Sequence, residues 1–154
     1  MKKAFIAIAL GLMVYAGIKV IAWPRHISGD CMEPAVKDGS YVFLNRLTPY
    51  IRAYKVNDII FFNHEGKVWI SRIVALANDS IQLDGGLLIN GSKVEDGDIE
   101  RDWNNWKYGT YAVEQPLQVP ANHVYVLSDK LSAHHDDSRV FGPISQSAIL
   151  GVIW

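Results

Sequence analysis

The chain opens with Met1-Lys2-Lys3 and then runs apolar from Ala4 to Trp23, broken by charge only at Lys19. A helix of that length spans about 30 Å, the thickness of a bilayer core. Lys19 lies one turn from the end, where its ammonium can snorkel to an interface. Trp23 suits an interfacial anchor, and Pro24 is expected to stop the helix. The two leading lysines favour a cytoplasmic N-terminus, with the rest of the chain on the extracytoplasmic side. A cleaved signal peptide is the alternative, with small residues at Val14-Tyr15-Ala16, but the apolar run continues to Ala22, longer than a signal segment needs.

Beyond Pro24 the pattern changes to short strands separated by turns. Tyr41-Val42-Phe43-Leu44 follows a Gly-Ser turn, and Ile59-Ile60-Phe61-Phe62 follows Asn57-Asp58. From Lys67 to Leu76 the chain alternates, with Val68, Ile70, Arg72 and Val74 on one face and Trp69, Ser71, Ile73 and Ala75 on the other. Asp84-Gly85-Gly86 and Asn90-Gly91 predict hairpin turns around Leu87-Leu88-Ile89. Val124–Leu127 and Ile149–Ile153 complete the set. The spacing, with no long amphipathic helices between strands, predicts a mainly β protein: an antiparallel barrel or sandwich after one N-terminal transmembrane helix. Residues 1–23 form the expected anchor and 24–154 the body. Within the body, about 95–118 reads as a small insertion, polar and turn-rich yet carrying Trp103, Trp106, Tyr108 and Tyr111. These rings suit a local mini-core or the interfacial zone of a membrane.

Composition narrows the classes. Of 154 residues, 49% are hydrophobic and 20% charged, which excludes a disordered chain. The net charge of -1 offers no basic field for nucleic acid. The single cysteine, Cys31, cannot form an intrachain disulfide. It sits in Ser28-Gly29-Asp30-Cys31-Met32-Glu33-Pro34, a loop between the apolar segment and the strands. A lone thiol is commonly a small core residue; in this loop it is also a candidate nucleophile.

Three segments, in order, resemble the boxes of bacterial type I signal peptidases. The first is Gly29-Asp30-Cys31-Met32-Glu33-Pro34 with Asp38-Gly39-Ser40-Tyr41-Val42. The second is Asn57–Phe62 with Trp69-Ile70-Ser71-Arg72-Ile73-Val74 and Ala75-Leu76-Ala77-Asn78-Asp79. The third is Ser128-Asp129 with Asp136-Asp137-Ser138-Arg139-Val140-Phe141-Gly142-Pro143. The resemblance covers nearly the whole chain and implies a membrane-anchored endopeptidase of the inner membrane. Such an enzyme cuts signal peptides from exported preproteins after small residues, without a cofactor. It also implies site-shaping roles for Met32, Pro34, Arg72, Asp129, Asp137, Ser138 and Arg139, with Asp137 and Arg139 as an ion pair.

The chain departs from that family at the catalytic centre. Cys31 stands where the family has its nucleophilic serine, and Ser71 where it has its lysine base. The Gly-Leu-Pro-Gly-Asp that usually follows has become Ala75-Leu76-Ala77-Asn78-Asp79. A hydroxyl needs a base, whereas a thiol of pKa about 8.5 is partly ionised near neutrality. Ser71 cannot be that base, and Lys67, four residues back on the same strand, lies about 13 Å away. In the family a serine between the two parts of the third box supports the lysine. Counting forward from Asp129 places that position at His134, and counting back from Asp137 at His135. The expected pairing is therefore Cys31 with His134 or His135, with Asp136 or Asp137 orienting the imidazole. The Cys31 N–H would hold the oxyanion. His26, His64 and His123 have no special context, and no metal-ligand spacing is present. Two other readings share the boxes: a non-catalytic assembly factor of the pilus type, and a peptidase specialised for pilins.

Overall fold

The computed structural model describes residues 2–95, 99, 101–133 and 135–154. Helix α1 (Lys2–Ile21) passes directly into strand β1 (Ala22–His26). There follow β2 (Tyr41–Asn45), α2 (Thr48–Ile51), β3 (Ile59–His64), β4 (Lys67–Ala75), β5 (Ser80–Leu83), β6 (Leu87–Ile89) and β7 (Ser92–Val94). Beyond the aromatic segment come β8 (Leu117–Gln118), β9 (His123–Leu127), α3 (Ser138–Phe141), β10 (Ile144–Ser145) and β11 (Ile149–Ile153).

The strands form two antiparallel sheets, ordered β1-β2-β11-β3-β4-β9-β10 and β7-β6-β5-β8. The mainly β antiparallel expectation holds. Pro24 does not end the helix; it lies within β1, and β1 tolerates it because it is an edge strand, where a missing N–H interrupts no ladder. Between β6 and β7 the chain turns at Asn90 and Gly91, with φ of 53° and 77°. Both angles are positive, as a tight hairpin of the right twist requires, which is why Asn-Gly stands there.

The described side chains of α1 are almost all exposed, Phe5, Leu10 and Met13 among them. No helix of the described residues is long and apolar enough to cross a membrane; the uninterrupted run of described side chains in α1 is 4–19. At the junction with β1, the Arg46 N–H donates to the Ile21 carbonyl at 3.2 Å. The guanidinium groups of Arg25 and Arg46 stack on the Trp23 ring, 4.9 and 5.2 Å from its centroid.

Among the described residues, three apolar clusters hold the body. Tyr54, Ile60, Phe62, Ile73, Val126 and Val152 fill one face of the large sheet. Ile27, Cys31, Met32, Leu44, Phe61 and Ile70 fill another. Val74, Ile81, Leu83, Trp106, Tyr125 and Leu127 join the small sheet to the large one. Val74 and Ala75 both enter this last cluster, although alternation would send them to opposite faces. A register shift between Ile73 and Ala75 against β9 accounts for the difference.

The aromatic segment splits its rings between two tasks. Trp106 is buried against the small sheet, with Trp103 beside it. Tyr111 donates its N–H to the Arg139 carbonyl at 2.7 Å, and the Tyr108 ring lies over the Arg139 guanidinium at 5.5 Å.

Candidate active site

Cys31 lies in the loop joining β1 to β2. The loop is closed by Ile27 N–H to Ser40 O at 2.9 Å, Val36 N–H to Met32 O at 2.8 Å and Gly29 N–H to Asp38 Oδ1 at 2.8 Å. Met32 is fully buried and pins the loop to the core, while Pro34 faces outward. The Cys31 carbonyl accepts the Lys130 N–H at 2.9 Å, and the Lys130 ammonium pairs with Asp30. Among the described residues no backbone carbonyl accepts the Cys31 N–H, which interacts with its own sulfur. The side chain is only 5% exposed. Burial first, and then the charges of Asp30, Asp129 and Asp137, push the thiol pKa up to about 11. At neutral pH the resting sulfur is a protonated thiol.

Cys31 opens on a cleft of about 240 Å³. Arg25 and His26 of β1, Trp69 and Ile70 of β4, and His135 line it. The His135 Nε2 lies 3.2 Å from the Ile70 carbonyl. A carbonyl only accepts, so Nε2 carries the proton and Nδ1 keeps its lone pair. Burial holds the His135 pKa below its ordinary value, opposed in part by Asp137, so the ring is neutral at pH 7. The ring also meets Trp69 edge-on, with centroids 5.1 Å apart.

The Ser71 hydroxyl is buried and donates to the same Ile70 carbonyl at 2.7 Å. One carbonyl of β4 thus ties position 71 to His135. Neither expected carboxylate orients the imidazole. Asp136 Oδ1 accepts the Tyr108 hydroxyl at 2.7 Å, and Asp137 is committed elsewhere. His134 lies outside the described residues.

Behind the cleft is a buried ionic network. Asp137 accepts Arg139 Nε at 2.9 Å and Nη2 at 2.8 Å, together with the N–H groups of Arg139 and Ser128, each at 3.0 Å. Ser138 Oγ accepts the Val126 N–H at 2.9 Å, fastening α3 to β9. Asp129 accepts Arg72 Nε at 2.8 Å and Nη2 at 2.6 Å. A third cation, Arg101, reaches Asp129 at 3.4 Å and the Ser128 carbonyl at 3.0 Å. Sequence reading missed Arg101, because it lies in the segment read as an insertion, far along the chain from its partner. It also missed Arg25, whose place in the cleft depends on the pairing of β1.

Residues 1–154 match the family described as signal peptidase, peptidase S26. The chain is 26% identical to signal peptidase I of Bacillus amyloliquefaciens over 154 residues, covering 97% of this chain and 82% of that protein. It is 29% identical to the probable thylakoidal processing peptidase 2, chloroplastic, of Arabidopsis thaliana over 162 residues, covering 97% of this chain and 41% of that one. The crystal structure of a signal peptidase I from Enterococcus faecalis aligns with a TM-score of 0.53 at 27% identity, covering 68% of this chain and 99% of that one. The family match runs the length of the chain and the fold agrees with a solved member: the protein belongs to the signal peptidase, peptidase S26, family.

Proposed function

We propose that the protein is a membrane-anchored endopeptidase that cuts exported preproteins after small residues, with Cys31 as nucleophile and His135 as proton acceptor. The observation that carries this reading is that the two side chains line one cleft, the imidazole neutral and with a lone pair to spare. Residues 1–23 serve as the anchor and 24–154 as the peptidase body, with about 95–118 as its insertion. The exposed apolar face of α1 and the leading lysines support an N-terminus in the cytoplasm and a body on the far side of the inner membrane.

With a pKa of about 11, roughly one thiol in ten thousand is ionised at pH 7. Attack therefore proceeds with proton transfer, not from a standing thiolate. His135 Nδ1 takes the Sγ proton as Sγ bonds to the scissile carbonyl carbon, and the carbonyl oxygen becomes an oxyanion facing the Cys31 N–H. Collapse expels the amine, which takes the proton from His135 and leaves a thioester on Cys31. Water then loses a proton to His135 and attacks the thioester, releasing the carboxylate product and returning the thiol.

A second reading, a non-catalytic binding or assembly factor, is favoured by one observation: the thiol is buried and its pKa raised. A precursor-processing assay with wild type, Cys31→Ala, Cys31→Ser and His135→Ala separates the two. Cleavage that vanishes in Cys31→Ala and falls at least a hundredfold in His135→Ala supports the peptidase. Precursor that binds but stays intact with wild type supports the binding factor. Activity of Cys31→Ser equal to wild type would show a base strong enough for a hydroxyl and overturn the thiol mechanism.

A further inference from the structure

The cleft beside Cys31 carries charge that bond cleavage does not use. Arg25 and His26 enter it from β1, and no aspartate or glutamate among the described residues lines it. Asp30, the nearest carboxylate along the chain, is held by Lys130. Two N–H groups on residues that line the cleft are buried without an acceptor, Arg25 Nε and Trp69 Nε1. Buried donors are nearly always satisfied, so two orphans on residues of one cleft suit an acceptor brought by a ligand. The Trp23 ring under the Arg25 guanidinium holds it in place without cancelling its charge.

We propose that this cleft selects peptides carrying an aspartate or glutamate beside the scissile bond, and that Arg25 reads that carboxylate. The inference rests on the cleft being the peptide-binding site named above. Arginine presents a planar fork of donors that matches a carboxylate, and the orphaned Nε belongs to that fork. Trp69 Nε1 offers one further donor, suited to a peptide carbonyl. Selectivity arises because a carboxylate pairs with the Arg25 guanidinium by charge-assisted hydrogen bonds, whereas an amide or carbonyl oxygen offers only a neutral acceptor.

The test uses the full chain in detergent micelles and reads binding by fluorescence anisotropy, independently of turnover. The Cys31→Ala variant is titrated with labelled alanine-rich peptides carrying one aspartate, scanned through the central positions, and with the matching asparagine series. At one or more positions aspartate is expected to bind about tenfold tighter than asparagine. Arg25→Gln should abolish that difference and Arg25→Lys retain part of it. Equal binding of both series at every position, or an aspartate preference that survives in Arg25→Gln, overturns the proposal, as does the absence of peptide binding. If Arg25→Gln fails to fold, as judged by circular dichroism, the wild-type comparison of the two series still decides the substrate class, and Arg25→Lys decides the role of Arg25. Processing by wild type reports on the peptidase reading separately, since a binding factor would show the aspartate preference with no cleavage.

Discussion

The ionic network around Asp137 and the cleft lined by Cys31 and His135 are built on opposite terms. In the network, both oxygens of Asp137 accept hydrogen bonds, and its partner Arg139 is buried completely. In the cleft, donors lack acceptors and a histidine keeps a spare lone pair. The network spends its polar groups on itself and so fixes shape. The cleft holds its polar groups back and so is fit to receive something. Cys31 lines the cleft, Ser71 shares the Ile70 carbonyl with His135, and neither side chain takes part in the network.

The contrast is broken most severely by removing one side of the network. Asp137→Ala strands Arg139 in the core, and a buried charge without its partner costs about 3–5 kcal/mol. Urea unfolding of the variant should show a loss of that size, while a cleft substitution such as His135→Gln should cost far less. Gly109→Ala is expected to come next. Gly109 has φ of 90°, and a β-carbon there would meet the Arg139 carbonyl carbon at 2.7 Å and Val140 Cα at 2.8 Å. Because Tyr111 and Arg139 are hydrogen-bonded across the same spot, relaxation is limited, and about 1–3 kcal/mol of stability should be lost.

The smallest effect comes from the cleft. The His135 pKa is lowered in the folded protein, so the unfolded chain takes up the proton first as pH falls. Stability should be unaffected above about pH 6.5, the ordinary histidine value, and decline progressively below it. Comparing urea midpoints between pH 7.5 and pH 5 for wild type and His135→Gln isolates this contribution. A slope that is identical in both proteins would place His135 outside the buried wall of the cleft.

The sequence revealed the strands wherever hydrophobic residues alternated beside turn residues, as in β4 and around Asn90-Gly91. β1 was hidden because it begins without a turn at the end of α1 and contains Pro24. β8 and β10, two residues each, are too short to carry a period. Cys31 stood out because a box surrounds it. Of the two adjacent histidines, counting alone could not choose; the structure describes His135 and gives it a partner, the Ile70 carbonyl, that no spacing rule would name. The expectation that a carboxylate orients the ring failed because Asp137 was already claimed by Arg139. Arg101 and Arg25 were illegible for one reason: their partners and positions are set by strand pairing, which joins residues distant in the chain.

The junction at Ile21 has a geometric consequence. With no linker between α1 and β1, a backbone hydrogen bond at the joint and two guanidinium groups stacked on Trp23, the helix is joined to the body as a bracket is to a shelf, not as a leash. β1 advances about 3.3 Å per residue, so the path along the strand from the end of the helix to the cleft residues Arg25 and His26 is roughly 15 Å. On the peptidase reading proposed above, that length would work as a ruler, setting how far from the end of α1 a peptide must present its bond to meet the sulfur.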